Sequence, residues 1–316
     1  RMSCRLVLPR PTRGFYLTAR TLVSSLWQDA KRSFGAIGIS FIIVTVGVWL
    51  LFMILVPQLI MLDFSLRPLL PLREIGGEKD VYTLKNYILL LSTPLHRTIF
   101  LKTIWSSVVV TTVALLICYP ISYYLAKVAQ GARFGWLMVG LIVPYWINEL
   151  LRLFAWQLIL ADKGVLNQAL MFIGLVDNPV NFRAGNGAVI LGMAYAYILF
   201  MVFPLYNAIE SLDRNQIDGA RDLGASWLRI HWRIVIPHAK PGIAVGCIMT
   251  FMLAAGSIAA PQLLGSPSSF WFTQIIYTNF ETANWNQGAA YAMVLALLCL
   301  VFIMAMLRLF RFMFTK

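Results

Sequence analysis

The segment Asp218–Pro237, DGARDLGASWLRIHWRIVIP, is one of the few long polar stretches in a chain that is otherwise mostly apolar. Its pattern predicts two short helices hinged at a glycine. Asp213 is a suitable N-cap for the first helix, because its carboxylate can accept hydrogen bonds from the exposed amides of the first turn. Gly224 falls where that helix ends, in a position whose left-handed conformation costs glycine little.

The second predicted helix starts after Ser226, whose hydroxyl is a suitable cap. The residues that share one face of this helix by their spacing are Trp227, Ile230 and Ile234. Pro237 and Pro241 are predicted to end it. An amphipathic loop beside the membrane that binds no partner would show the same periodicity, so the pattern alone leaves both interpretations open.

The composition is that of a polytopic membrane protein, because 59% of the 316 residues are hydrophobic and only 12% are charged. The uncharged stretches long enough to cross a hydrocarbon core of ~30 Å are Ile39–Leu62, Thr103–Ala126, Gly187–Ile209, Gly242–Leu264 and Gly288–Leu307. Another apolar stretch, from Phe134 to about Leu160, is interrupted by Glu149 and Arg152 and is counted as the third helix. The sequence therefore predicts six transmembrane helices over residues 37–316, preceded by a basic arm, residues 1–36.

The basic residues indicate the orientation. Seventeen of the 26 Lys and Arg residues fall in the arm, in the C-terminal tail and in segments 127–135 and 209–240, and only seven fall in the segments on the other side. Because basic residues concentrate on the cytoplasmic side, both termini and the loop at 210–240 are predicted to be cytoplasmic. This asymmetry explains most of the net charge of +13, so the charge indicates contact with membrane lipid and argues against a nucleic-acid partner.

No catalytic or metal-binding constellation is present in the sequence. There is no GxxxxGK[ST], HExxH or GxSxG motif, and the four cysteines form no CxxC pair or Cys/His cluster. We therefore expect no enzyme activity, no metal site and no cofactor bound by this chain. A transporter without a nucleotide site must use an ion gradient or a partner ATPase, and the two-helix loop offers a docking surface for such a partner.

The 218–237 segment resembles the EAA loop of ABC importer permeases. The family pattern is Glu-Ala-Ala, three residues, Gly, nine residues and Ile-x-Leu-Pro, and the spacing from Asp218 through Gly224 to Pro237 matches it. Gly219, at the second position of the triplet, is expected to weaken the helix by ~1 kcal/mol relative to alanine. The residues that this resemblance assigns to ATPase coupling are Asp218, Gly219, Ala220, Leu223, Gly224 and Pro237.

Other segments are similar to the polyamine and opine branch of these permeases. The run Pro144–Trp156, PYWINELLRLFAW, resembles the Pro-aromatic-Trp and Arg-x-aromatic-Ala-Trp run of that branch. The segment Lys163–Asn167, KGVLN, resembles its Gly-x-Leu-Asn turn, and Tyr119-Pro120 and Pro261–Gly265 also fit. The resemblance covers roughly residues 60 to 310.

This resemblance implies an all-α permease of the type I ABC importer kind, with six transmembrane helices and a cytoplasmic two-helix coupling loop at 210–240. It implies as partners two ATP-binding subunits that carry ATP and Mg, a second homologous permease subunit forming a heterodimer, and a periplasmic solute-binding protein. The implied location is the bacterial inner (plasma) membrane. The basic arm is not explained by the resemblance.

One departure from the family pattern concerns the substrate. Polyamine members often place an acidic and an aromatic residue after the glycine of the fifth helix, whereas here Gly256 is followed by Ser257 and Ile258. This difference disfavours a dicationic substrate. An opine, a betaine-like compound or another amine of lower charge stays open.

Two charges lie inside the third span. Glu149 and Arg152 are three residues apart and can share a helix face. They can pair with each other near the outer end of the helix or extend to the lipid headgroups, or Glu149 can face the translocation path. The residues predicted to line that path are Trp146, Asn148, Glu149 and Arg152, although aromatic residues at the end of a span also serve as interfacial anchors.

Two further function classes are open. An ion-driven secondary transporter would transport its substrate as the purified chain alone and gives no role to the loop at 210–240. A non-transporting scaffold is disfavoured by the prolines and charges inside the spans. We expect a permease subunit that moves a small amine-containing solute, such as a polyamine or an opine, inward by alternating access.

Overall fold

The computed structural model describes Gly35 and residues 37–71, 74, 77–78, 80–266 and 269–314, with side chains as far as residue 309. Every regular element in this part of the chain is helical, so the predicted all-α class is confirmed. The basic arm predicted at residues 1–36 lies outside the described residues, apart from Gly35. The chain divides into two compact units, residues 1–60 and 61–316, and the packing described below belongs to the second.

The helices are numbered in chain order. Their bounds are α1 Ile37–Ser65, α2 Lys85–Ser92, α3 Pro94–Val128, α4 Ala132–Trp146, α5 Glu149–Ile159, α6 Val165–Phe172, α7 Gly187–Ala196, α8 Ile198–Glu210, α9 Arg214–Asp222, α10 Trp227–Gly256, α11 Ala259–Leu264, α12 Phe272–Glu281 and α13 Trp285–Phe314. Within the described residues, α1, α3, α10 and α13 are each long and apolar enough to span a membrane. Two bent pairs, α4 with α5 and α7 with α8, bring the number of spans to six if each pair is one span.

The third and fourth spans are not the single helices that the sequence predicts. The axes of α4 and α5 differ by 95° and those of α7 and α8 by 49°. The first break follows a 3-10 turn that contains Pro144, and the side chain of Asn148 then starts a new helix by accepting from the Leu150 amide at 2.8 Å. The second break lies at Tyr197, between α7 and α8.

The prediction that Pro237 and Pro241 end the second loop helix is wrong. Both prolines lie within α10, which runs without interruption from Trp227 to Gly256. Just before Pro237 the helix forms a π-type turn over His231–Val235, in which the Ile236 amide bonds to the His231 carbonyl. Such a turn changes the register of donors and acceptors, so the missing proline amide does not break the helix.

The fifth span also ends earlier than predicted, at Gly256 instead of Leu264. A helix continuing through this region would need the amide of residue 261 to bond to the Ser257 carbonyl, and Pro261 has no amide hydrogen. The Ser257 carbonyl accepts instead from the Thr273 hydroxyl at 2.7 Å. The chain turns at Ser257 and continues as the short helix α11.

Helices α8 and α10 pack closely against each other in the core. Gly242 and Gly246 are four residues apart on α10, and a Cβ atom at either position would overlap with Pro204 or Met201 of α8. Small residues at this spacing let helix backbones approach closely in a membrane. This pair fixes the position of the loop between the two helices, residues 211–226.

Candidate functional site

The first candidate site is the hinge loop, which we define as residues 210–240. The carboxylate of Asp213 accepts from the Asn215 amide at 3.0 Å, so the predicted N-cap of α9 is confirmed. Gly224 has a φ of +74°, as the hinge prediction requires. The Ala225 amide bonds to the Ala220 carbonyl at 3.0 Å and the Gly224 amide to the Arg221 carbonyl at 2.8 Å, the two bonds of a Schellman cap.

The hinge loop has one buried side. Its apolar anchors pack in a core cluster with residues of α3 and α8, and the buried members of that cluster are Ala126, Ile209, Leu212, Ile217, Ile230, Val235 and Ala239. Ile230 and Ile234 share the buried face as predicted, but Trp227 is 60% exposed and lies off it. Ser226 stands at the predicted N-cap position without a capping bond from its side chain.

The predicted coupling residues fall on different parts of this loop. Leu223 is 90% exposed, and Asp218, Gly219 and Gly224 are exposed with it around the hinge. Ala220 is half-buried against the core cluster. Pro237 is away from the hinge, inside α10. Four of the six predicted coupling residues are therefore exposed near the hinge, whereas Ala220 and Pro237 are half-buried.

The second candidate site lies where the third and fourth spans break. We call it the break site and define it by Tyr145, Glu149, Arg152 and Tyr197. Glu149 is the first residue of α5 and is half-buried. Its Oε1 accepts a hydrogen bond from the hydroxyl of Tyr197 at 3.2 Å, and its other oxygen has no hydrogen-bond partner among the described residues.

Arg152 does not pair with Glu149 in the part of the chain that the structure describes. Its guanidinium carbon lies 4.4 Å from the ring centroid of Tyr145 and 6.0 Å from that of Tyr195, so the cation rests on aromatic faces. The Nε and Nη1 atoms of Arg152 are buried and make no hydrogen bond to any described residue. The mutual ion pair considered from the sequence is therefore not formed.

Trp146 and Asn148, the other residues predicted to line a path, have different surroundings. Trp146 is 83% exposed. Asn148 is the N-cap of α5, so its side chain has a structural task next to Glu149. The structure thus brings Glu149 and Arg152 of the predicted set together with two tyrosines, and it leaves Trp146 outside the cluster.

The turn between α5 and α6 explains another part of the sequence pattern. Asn167 is fully buried, and its amide group donates to the carbonyls of Ala161 and Val180 while its oxygen accepts from the Val180 amide at 2.9 Å. A Cβ atom at Gly164 would overlap with the backbone of Leu158 and Ile159. In the Gly-x-Leu-Asn turn, Gly164 is therefore required by the close approach of the backbone, and Asn167 by its hydrogen bonds to the backbone.

Sequence reasoning missed the roles of Tyr197 and His231. Tyr197 belongs to no motif and stands in a span that contains other tyrosines, and His231 lies at one of the unspecified positions of the 218–237 segment, so the pattern assigned a role to neither. His231 is 4% exposed, with its ring beside those of Tyr123 and Trp227. Among the described residues no group of three or more His, Cys, Asp and Glu side chains is placed to hold a metal ion.

Two broken spans joined by polar side chains, in a chain that also has a hinged polar loop, are features of a polytopic transport protein. The comparisons with known proteins agree. The pattern of the family described as binding-protein-dependent transport system inner membrane component matches residues 21–312. The chain belongs to this family, and it is an ABC importer permease subunit and not an enzyme.

Relatives with a stated substrate are similar over most of the chain. The chain is 35% identical to the spermidine/putrescine transport system permease protein PotB of Escherichia coli over 256 residues, which is 81% of this chain and 91% of the relative. Identity with PotB of Haemophilus influenzae is 31% over 257 residues, covering 79% and 86% of the two chains.

A solved structure shares the fold. It is that of a bacterial ABC transporter involved in the import of the acidic polysaccharide alginate, with a TM-score of 0.68, 17% identity and coverage of 91% of this chain and 98% of that one. At this identity the likeness supports the fold alone.

Proposed function

We propose that this permease subunit moves a small amine-containing solute, a polyamine or a related compound, inward across the bacterial inner membrane. The observation that carries the proposal is the similarity to spermidine/putrescine permeases along 81% of the chain. The break site supplies a chemical reason, because one oxygen of the half-buried Glu149 has no hydrogen-bond partner among the described residues. A carboxylate in that position offsets the cost of desolvating a cationic amine.

The partners we propose are two ATP-binding subunits, a second homologous permease subunit and a periplasmic solute-binding protein. ATP and Mg belong to the ATP-binding subunits, since this sequence has no P-loop motif. The distribution of basic residues supports cytoplasmic termini and a cytoplasmic hinge loop. On that side the exposed surface around Leu223 and Gly224 is available for docking an ATPase.

The motion we propose is alternating access, in which ATPase closure moves the hinge loop and the spans joined to it. The geometry supports this mechanism in one specific way. The second half of the hinge loop is the beginning of α10, so a force on the hinge acts on the fifth span without an intervening flexible link. The coupling residues pass the movement of the ATPases to the spans, and they take part in no covalent chemistry.

A zwitterionic amine such as an opine is the second candidate solute. Two nitrogen atoms of Arg152 are buried without hydrogen-bond partners among the residues that the structure describes, and Arg152 lies one helical turn from Glu149. A solute with both an amine and a carboxylate would satisfy both charges. A polyamine would engage Glu149 alone and leave Arg152 on the ring of Tyr145.

Uptake by the reconstituted complex tests the proposal. The chain, its partner permease and ATPases are placed in proteoliposomes with ATP inside, and labelled spermidine or octopine is supplied outside with the cognate binding protein. We expect ATP-dependent uptake of one of these amines, and uptake of neither would overturn the amine proposal. Transport by the purified chain alone, driven by an ion gradient and without ATPases, would favour the secondary-transporter alternative.

A further inference from the structure

Two tyrosines join the break of the third span to the break of the fourth. Tyr145 precedes the first break, and its hydroxyl reaches the backbone at the second. The hydroxyl donates to the Ala196 carbonyl at 2.7 Å and accepts from the Leu199 amide at 3.0 Å. Tyr197, at the second break, donates in turn to the carboxylate of Glu149, just after the first break. Tyr145 therefore holds the backbone of the second break, and Tyr197 contacts the Glu149 side chain beside the first.

The bonds of Tyr145 replace those that an unbroken helix would make. In a continuous helix the Leu199 amide would bond to the Tyr195 carbonyl, and the Phe200 amide would bond to the Ala196 carbonyl. At the break the Phe200 amide bonds instead to the Tyr197 carbonyl at 3.1 Å. This leaves the Leu199 amide and the carbonyls of Tyr195 and Ala196 without those helical partners, and unpaired backbone groups are costly at membrane depth. The Tyr145 hydroxyl contacts all three groups, since it also lies 3.4 Å from the Tyr195 carbonyl oxygen.

The two breaks also share a packed core. Tyr197 is 5% exposed and belongs to the same buried cluster as Leu153 of α5 and Ala196 of α7. Because protein interiors are close-packed, a shift of Tyr197 would displace its neighbours in this cluster. The backbone position that Tyr145 fixes therefore determines where the Tyr197 hydroxyl lies, and that hydroxyl contacts Glu149.

We propose that Tyr145 is a positioning residue for solute recognition. Its hydroxyl fixes the backbone at Tyr197, and the Tyr197 hydroxyl then orients the Glu149 carboxylate toward the amine of the solute. The ring of Tyr145 also makes a cation–π contact with Arg152, and this contact keeps the guanidinium away from Glu149. This inference rests on the proposed role of Glu149 in contacting the solute.

The variant Tyr145→Phe tests the proposal, because it removes the hydroxyl and keeps an aromatic face for Arg152. We expect uptake per assembled complex to fall about tenfold, which corresponds to ~1.4 kcal/mol. The probe is spermidine, or octopine if that is what the wild-type complex takes up. The control is Tyr124→Phe, which removes a hydroxyl from a tyrosine that is 43% exposed. We expect it to transport like the wild type.

A double-mutant cycle with Glu149→Gln separates positioning from simple structural support. If Tyr145 acts through Glu149, then Tyr145→Phe has less than about a twofold effect in the Glu149→Gln background, since the effects of coupled residues are not additive. Equal effects in both backgrounds would overturn the inference and leave the proposed function intact. If Glu149→Gln itself transports normally, the role of Glu149 fails and the inference fails with it.

Loss of assembly also has a defined meaning. If Tyr145→Phe does not copurify with its partners, the cycle is repeated with Tyr197→Phe, which removes the hydroxyl that contacts Glu149 directly. We expect the same non-additivity with Glu149→Gln, and additive effects there would overturn the inference. Uptake of neither probe by the wild-type complex would overturn the proposed function and the inference together.

Discussion

The hydroxyl of Tyr119 lies 2.7 Å from Nδ1 of His231. Tyr119 belongs to α3, and His231 begins the π-type turn of α10, close to the hinge at Gly224. His231 is 4% exposed, so water does not compete for this hydrogen bond. The contact ties the hinge loop to the second span as well as to the fifth.

Tyr119→Phe is expected to weaken the coupling between the hinge loop and the spans. The substitution leaves Nδ1 of a buried histidine unpaired, and Nε2 of the same ring already has no hydrogen-bond partner in the described part of the chain. An unsatisfied buried polar group costs ~1–3 kcal/mol. We expect substrate-stimulated ATPase activity of the reconstituted complex to fall several-fold at an unchanged amount of assembled complex.

Tyr123→Phe is the matched control for this prediction. The ring of Tyr123 lies 4.4 Å from that of His231, but its hydroxyl makes no hydrogen bond to the histidine. This variant keeps the ring contact and is expected to retain stimulation. Equal loss in both variants would show that ring packing matters and that the Tyr119 hydrogen bond does not.

Gly224→Val is expected to abolish substrate-stimulated ATPase activity while membrane insertion stays intact. A Cβ atom at this position meets no atom of the described residues within 4 Å, so we expect any effect to come from the backbone and not from a clash. With φ at +74°, a β-branched residue is strained by ~1–2 kcal/mol or leaves the left-handed region. Either response changes the angle between α9 and the start of α10.

Gly135→Val is a control for the same side chain at another glycine. Gly135 is exposed, also has open space around its Cβ position and does not have a positive φ. ATPase activity is measured for both variants in proteoliposomes containing the binding protein and its solute. If solute stimulated the Gly224→Val complex as strongly as the wild type, the expected role of Gly224 in setting the angle between α9 and α10 would be wrong.

The parts of the structure that the sequence predicts correctly depend on neighbours along the chain. The cap at Asp213 and the left-handed Gly224 are local, since each is decided within one helical turn. Span positions follow from runs of apolar residues, which also act locally. The hinge was therefore predictable before any packing was known.

The breaks could not be predicted because their partners are far away in the sequence. The break at Tyr197 is stabilised by Tyr145, and the break at Ser257 by Thr273. Pro261 did carry a local signal, since it removes the bond to the Ser257 carbonyl. Pro237 predicted a helix end that does not occur, because a π-type turn accommodates this proline within α10.

Asn286→Ala is expected to destabilise the second compact unit near the start of α13. The side-chain amide of Asn286 donates to the carbonyls of Phe64 and Arg67 at 3.1 Å each. The residue is 8% exposed, so water cannot replace both bonds. We expect the free energy of unfolding to fall by ~1–3 kcal/mol, seen as a lower thermal midpoint of the purified protein in detergent.

The control for Asn286 is Asn207→Ala, at an exposed asparagine whose side chain makes no hydrogen bond in the described part of the chain. This variant should keep the wild-type midpoint. A second variant, Asn286→Asp, has nearly the same shape but places a carboxylate against two carbonyl oxygens, and we expect a larger loss than for alanine. Equal midpoints for the wild type and all three variants would refute the stabilising role of Asn286.

Glu149→Gln is expected to lower uptake of the cationic or zwitterionic solute several-fold while the complex still assembles. Glutamine keeps the shape of the side chain, and its carbonyl oxygen can still accept from the Tyr197 hydroxyl, so the link between the two breaks remains. What is lost is the negative charge that offsets desolvation of the amine. The position of Arg152 does not depend on that charge, because its guanidinium contacts the ring of Tyr145 and not Glu149.

Uptake is measured per copurified complex with spermidine and with octopine as separate probes. If Glu149→Gln lowers the uptake of only one of the two probes, the transported solute belongs to the chemical class of that probe. Normal transport of the wild-type solute, or failure of the variant to assemble, would place Glu149 in the scaffold.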